Sequence, residues 1–205
     1  MITDQLLARY PIISDQVDKT ELRAVLLELE RLLQRGVCGA VVEFGCYVGT
    51  TSLFIARLLQ HYNQQATYHV YDSFQGLPDK TAQDFSAAGE QFKAGELFAT
   101  KKQFIANFKK AGAPLPVVHK GWFHDLSPDD VPPNITFAFL DGDYYQSIHD
   151  SLQLVVPNLA PTHTIVVDDY ASSALPGAAR AVDEWAGARR WHVRSEASLA
   201  IIRNG

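Results

Sequence analysis

Sulfur is scarce in this chain and long apolar runs are missing. Two cysteines, Cys38 and Cys46, stand eight residues apart in 205 residues, with no second pair and no C-x-x-C spacing. That excludes a disulfide framework and a cysteine-based zinc site. It also suits a reducing compartment, so the expected location is the cytoplasm. No apolar run exceeds the length of a strand, and the opening MITDQLLARYPIISDQ has no apolar core of signal-peptide length, so neither a membrane span nor a leader is expected. Excess basic charge is missing too. Eighteen Lys and Arg face 23 Asp and Glu, a formal net charge of −5, and a dedicated nucleic-acid binder needs a basic footprint. There is no internal repeat and no low-complexity tract.

What is present is an ordinary globular composition, 47% hydrophobic and 20% charged, long enough for one domain with a buried core. Residues 1–36 read as an N-terminal helical segment. Its periodic part is Glu21 to Arg35, where Leu22, Val25, Leu26, Leu29, Leu32 and Leu33 recur at three- and four-residue steps. Short apolar runs then alternate with amphipathic stretches. Strands are expected at 40–44, 67–72, 115–120, 135–141 and 164–168, with helices at 50–62, 96–110, 144–156 and 177–188. A closing hairpin is expected from 191–195 and 199–203. Long, mostly helical connections between the first five strands imply parallel pairing. The expected fold is α/β: a Rossmann-like, doubly wound, seven-stranded sheet, mostly parallel, with an antiparallel C-terminal hairpin strand. Residues 73–95 fit no period and hold several glycines, which reads as a lid over a binding site.

Three constellations carry chemistry. In Val42-Glu43-Phe44-Gly45-Cys46-Tyr47-Val48-Gly49-Thr50-Thr51 two glycines bracket a strand-to-helix turn. Glycine admits positive φ and close approach of a ligand, and the helix start offers unpaired N–H groups. The spacing is neither the dinucleotide fingerprint nor the phosphate loop, and alone it is equally a tight structural turn. Asp72, 29 residues after Glu43, ends the next strand, where a carboxylate can accept both hydroxyls of a ribose. Asp141 and Asp143 close one later strand, and Asp168 and Asp169 close the next. Four carboxylates at neighbouring strand ends repel one another unless a cation or protons compensate. Oxygen-only donors favour Mg²⁺, with Ca²⁺ or Mn²⁺ as alternatives.

Taken together, VVEFGCYVGTTS, VYDSFQGLPD, KGWFHDLSP, FLDGDYYQSIHDSL, VVDDY and LPGAARAVDEW resemble the macrocin O-methyltransferase family, from about Glu21 onward. The resemblance implies a class I fold, S-adenosylmethionine as methyl donor, Mg²⁺, and a small-molecule hydroxyl acceptor on a sugar or phenolic natural product. It implies Asp141, Asp168 and Asp169 as metal ligands and Asp143 as general base. Glu43, Gly45, Tyr47, Gly49, Thr50, Thr51, Asp72 and Ser73 would line the cofactor site, with Asp141 at its edge. Trp122 would either shape the adenine pocket or cover the sheet edge. Val48 departs from the family, which usually carries arginine there. The partners implied are the acceptor and, as an open question, a second copy in a dimer; no nucleic acid and no membrane are expected. His124 and His149 fall near these motifs without metal spacing. Two rivals are a sugar-nucleotide transferase using Asp141-x-Asp143 and a non-catalytic module that only binds S-adenosylmethionine.

Overall fold

A computed structural model of the chain describes residues 1–63 and 66–205. The strands are β1 (Ala40–Phe44), β2 (Tyr68–Asp72), β3 (Val117–Lys120), β4 (Ile135–Leu140), β5 (Leu159–Val167), β6 (Val193–Glu196) and β7 (Leu199–Asn204). The helices are α1 (Ile2–Arg9), α2 (Lys19–Gln34), α3 (Thr50–His61), α4 (Lys101–Ala111), α5 (Tyr145–Val155) and α6 (Pro176–Arg189). One sheet runs β3-β2-β1-β4-β5-β7-β6. Strands β1 to β5 pair in parallel, and β7 is antiparallel to both β5 and β6. The doubly wound fold expected from the sequence is the one adopted. The strand order reverses between β1 and β4, the topological switch point at which ligands bind in such sheets.

Alternation within the strands assigns each face. Val41, Phe137, Phe139, Val166, Leu199 and Ile201 share one core with α1 to α4. Their neighbours Val42, Ala138, Leu140, Ile165, Val167, Ala200 and Ile202 face α5 and α6. Successive side chains of a strand point to opposite faces, so a sheet buried on both sides reads as the continuous apolar runs seen here.

Several boundaries differ from expectation. The N-terminal segment holds two helices. Glu30, buried within α2, accepts the Ile2 and Thr3 N–H groups at 2.8 and 3.1 Å and so caps α1 from a distance. The fourth helix starts at Lys101, since Thr100 and Gln103 form a capping box there. Residues 95–96 instead bond to Leu77. Strand β3 begins only after Pro116, which has no N–H to donate. Strand β5 reaches back to Leu159, and β6 starts at Val193 because Trp191 N–H still bonds to the end of α6.

Helix α2 is also tied to the C-terminal hairpin. The buried Glu28 carboxylate receives Arg203 Nε at 2.8 Å and Arg194 at 3.1 Å, with Arg31 at 3.1 Å from its own helix. Among the described residues, no helix is long and apolar enough to cross a membrane.

Candidate active site

Strand register brings the expected residues together. Phe44, Leu140 and Val167 are neighbours across the sheet, so the residues that follow them leave β1, β4 and β5 side by side. Asp141 N–H bonds to Phe44 O at 2.8 Å, and Asp168 N–H to Leu140 O at 2.9 Å. Gly45 leaves β1 with φ +87°, and a Cβ there would lie 1.8 Å from the Asp141 carbonyl oxygen. Only glycine lets the two strand ends approach this closely. Tyr47, Phe74, Asp143 and Asp169, each just beyond a strand end, also take positive φ. Such conformations cost about 1–3 kcal/mol and cluster where the surroundings enforce them, commonly at functional sites.

These turns surround a cavity of about 310 Å³ at the carboxyl ends of the strands. All the expected residues except Gly49 line it: Glu43, Gly45, Tyr47, Thr50, Thr51, Asp72, Ser73, Trp122, Asp141, Asp143, Asp168 and Asp169. Gly49 lies beneath the turn as the left-handed cap of α3, where a Cβ would strike the Phe104 ring at 2.8 Å. His124 lines the cavity with its ring stacked on Trp122. His149 lies outside, packed against Tyr145 and Trp185. The aperiodic segment covers one side. It is closed at its base by Leu77 bonds to Gly95 and Glu96, and pinned by a small core of Leu77, Phe92, Leu97, Tyr144 and Leu175.

Asp72 is already engaged. Its Oδ2 accepts the Cys46 and Tyr47 N–H groups, and its Oδ1 accepts Phe74 N–H at 2.7 Å. Glu43 is fully buried and accepts the Tyr68 hydroxyl. Burial pushes its carboxyl up to about 7, against the opposing effect of Tyr68. Burial likewise raises the Cys46 thiol well above its ordinary value, which leaves it a poor nucleophile.

The four aspartates are electrostatically stressed. Burial, then the charges of Asp168 and Asp143, push Asp141 well above the usual carboxylate range. Burial, then Asp169, does the same to Asp143. Burial, then the charges of Asp169 and Glu21, raise Asp168; burial, then Glu21, raises Asp169. Oxygens of Asp141, Asp143 and Asp169 lie within 4.8 Å of one another, a spacing that suits a metal ion. Asp168 stands beside them, its Oδ1 accepting Asp169 N–H at 2.9 Å. Among the described residues, nine carboxylates and no Lys or Arg line the cavity. A hard cation on an all-oxygen donor set fits this charge balance.

Besides Asp79 and Asp150, sequence reasoning missed a group at the N-terminal side of the site: Glu21, brought in by α2, and Ser14, Gln16 and Val17 on the loop before it. Nothing local marks them, because they meet the site only through the packing of α2 across the sheet.

Residues 14–195 match the family described as macrocin-O-methyltransferase (TylF). A similar curated protein is the 8-demethyl-8-(2,3-dimethoxy-alpha-L-rhamnosyl)-tetracenomycin-C 4'-O-methyltransferase of Streptomyces olivaceus, 33% identical over 71% of this chain and 58% of that protein. Another is the mycinamicin III 3''-O-methyltransferase of Micromonospora griseorubida, 31% identical over 86% of this chain and 70% of the relative. The chain thus spans less than two thirds of the first relative's length. Among solved structures, the O-methyltransferase NovP superposes with a TM-score of 0.77 at 24% identity, covering 90% of this chain and 79% of NovP. The calicheamicin methyltransferase CalS11 also gives 0.77, at 19% identity, covering 100% of this chain and 90% of CalS11. Both share the fold. With the family's motifs in order along the chain and their residues around one cavity, the chain belongs to the macrocin-O-methyltransferase (TylF) family.

Proposed function

We propose that this chain is an S-adenosylmethionine-dependent, Mg²⁺-assisted O-methyltransferase acting on a hydroxyl of a small molecule, a sugar or phenolic natural product. The observation that carries the reading is the cavity at the switch point, rich in carboxylates and, among the described residues, without lysine or arginine. It suits a sulfonium and a divalent cation, and it disfavours the diphosphate that a sugar-nucleotide transferase must hold. The two relatives named above, both O-methyltransferases by name, add support.

In this reading the Glu43 to Thr51 turn, with Gly45, Tyr47, Gly49, Thr50 and Thr51, cradles the methyl donor. Asp72 and Ser73 hold its ribose end, Trp122 flanks the adenine, and Asp141 faces the reacting side. Asp141, Asp168 and Asp169 hold Mg²⁺. When bound, the donor supplies an electrophilic methyl group and the metal supplies Lewis acidity toward the acceptor hydroxyl. Asp143 takes the hydroxyl proton as the oxygen attacks, the task of a positioned general base. The 73–95 segment covers the site and keeps water out. The convergence of Asp141, Asp143 and Asp169 favours a second division of labour, in which Asp143 is a ligand and Asp168 supports the site from outside. Two further parts of the proposal are a cytoplasmic location and a homodimer.

Candidate acceptors incubated with labelled S-adenosylmethionine and Mg²⁺ test the reading. Transfer of label to a hydroxyl is expected. In a parallel thermal-shift experiment S-adenosylmethionine should stabilise the protein and a sugar-nucleotide diphosphate should not. The reverse pattern favours the transferase. Binding without transfer across sugars and phenols alike favours a non-catalytic module.

A further inference from the structure

Helices α5 and α6 both start beside the site, and neither supplies its own cap. Tyr144 and Leu175 occupy the two N-cap positions without a side-chain bond, and neither first turn carries an acid. The missing acceptor comes from the covering segment. Asp84 is fully buried, and its Oδ1 accepts Tyr145 N–H, the first amide of α5, at 2.7 Å. Its Oδ2 accepts the Thr81 amide at 2.8 Å and the Thr81 hydroxyl at 2.6 Å. Gly177, in the first turn of α6, makes room for this carboxylate. A Cβ there would lie 1.8 Å from Asp84 Oδ1 and 2.6 Å from Tyr145 N. The carboxylate therefore sits between two helix N-termini, where negative charge is stabilised.

Two residues before Tyr145 is Asp143, held at φ +61°. Tyr144 between them is fully buried, and its N–H bonds to Gly142 O at 2.6 Å. The Gly142-Asp143 turn is thus fixed on one side by strand β4 and on the other by the start of α5. We propose that Asp84 is a positioning residue: through the Tyr145 amide, the covering segment sets the placement of Asp143. This rests on the reading of the cavity as a methyl-transfer site. It goes further in making the cover a part of the machinery that aims the carboxylate, in addition to any exclusion of water.

Three variants test it. Asp84→Ala removes the cap, and Asp84→Asn keeps an oxygen for Tyr145 N–H. Arg180→Ala releases only the tether from Arg180 to Gln83 O, 2.8 Å long, and leaves the cap alone. Hydrogen exchange of the ligand-free protein should show faster exchange at Tyr145 and its neighbours in Asp84→Ala, near-normal exchange there in Asp84→Asn, and no change there in Arg180→Ala. In the methyl-transfer assay kcat should fall about 10²-fold in Asp84→Ala, the effect of an ångström-scale misplacement. KM for S-adenosylmethionine should stay within about twofold, and Asp84→Asn should recover part of the rate, since its NH2 cannot accept from the Thr81 amide. The proposal is overturned if Asp84→Ala keeps wild-type kcat, if Arg180→Ala loses as much, or if the lost rate tracks only the fraction of folded protein. If wild-type protein transfers no methyl group to any acceptor, the functional reading fails separately, and exchange at Tyr145 still reports the cap.

Discussion

One carboxylate oxygen of Asp72, at the end of β2, accepts both the Cys46 and the Tyr47 N–H groups of the turn after β1, at 2.8 and 3.2 Å. The residue expected to hold a ribose is therefore also the brace of the turn expected to hold the rest of the donor. Asp72→Ala should weaken S-adenosylmethionine binding about 10- to 100-fold and lower the unfolding free energy by about 1–3 kcal/mol, as lost hydrogen bonds to a charged group do. Calorimetry and urea unfolding read the two effects separately. Unchanged affinity in a destabilised protein would leave Asp72 as a brace alone.

The division of labour among the aspartates is testable by metal titration. Asp168→Ala should abolish Mg²⁺ dependence and most activity, whereas Asp143→Asn should keep Mg²⁺ affinity and lose about 10²–10⁴-fold in rate. Loss of Mg²⁺ affinity in Asp143→Asn, with affinity retained in Asp168→Ala, would exchange their roles. Full activity after exhaustive chelation would remove the metal from the reaction.

Gly45→Ala should destabilise the protein by about 2–5 kcal/mol, combining overpacking with an enforced positive φ. The reason is the 1.8 Å approach to the Asp141 carbonyl. Urea midpoints check this, and a shift below about 0.5 kcal/mol, typical of an unconstrained surface position, would contradict it.

At the far edge of the sheet His69 Nδ1 and His119 Nε2 lie 3.1 Å apart, so one ring must stay neutral to accept from the other. Burial, then His119, holds His69 below the usual histidine range; burial, then Lys101, does so for His119. The unfolded chain therefore binds more protons in this range. The pair's stabilisation is complete above about pH 6.5 and is lost as pH falls through the lowered folded values. The melting temperature of wild type minus that of His119→Gln should shrink between pH 7.5 and 5. A difference that stays flat would contradict the assignment.

The sheet and six of the site's carboxylates were legible because local pattern carries them. Apolar runs doubly buried between helices stand out in sequence, and Asp141, Asp143, Asp168 and Asp169 repeat one feature at two equivalent strand ends. Glu21, Glu30 and Asp84 were not legible. Each acts on a group brought near by tertiary packing: Glu21 on the aspartates, Glu30 on the amides of α1, Asp84 on the amide of Tyr145. A carboxylate that caps a remote helix has the same local sequence as one that merely faces water. The start of α4 was misplaced for a related reason. Residues 96–99 continue the helical pattern, yet their backbone is claimed by the bond to Leu77 and the left-handed turn at Leu97.

The grip of Arg194 and Arg203 on Glu28 has a consequence for biosynthesis. Their partner on α2 is made 166 and 175 residues earlier, so during translation at roughly 5–20 residues per second Glu28 waits about 8–35 s for its counter-charges. Helix α2 meanwhile lacks the Leu199 and Ile201 surface against which it finally packs. The nascent chain thus carries an uncovered apolar stripe until β7 leaves the ribosome. Shortening the hairpin by a few codons would leave that stripe open to chaperones, and solubility in the cell would respond before catalysis did.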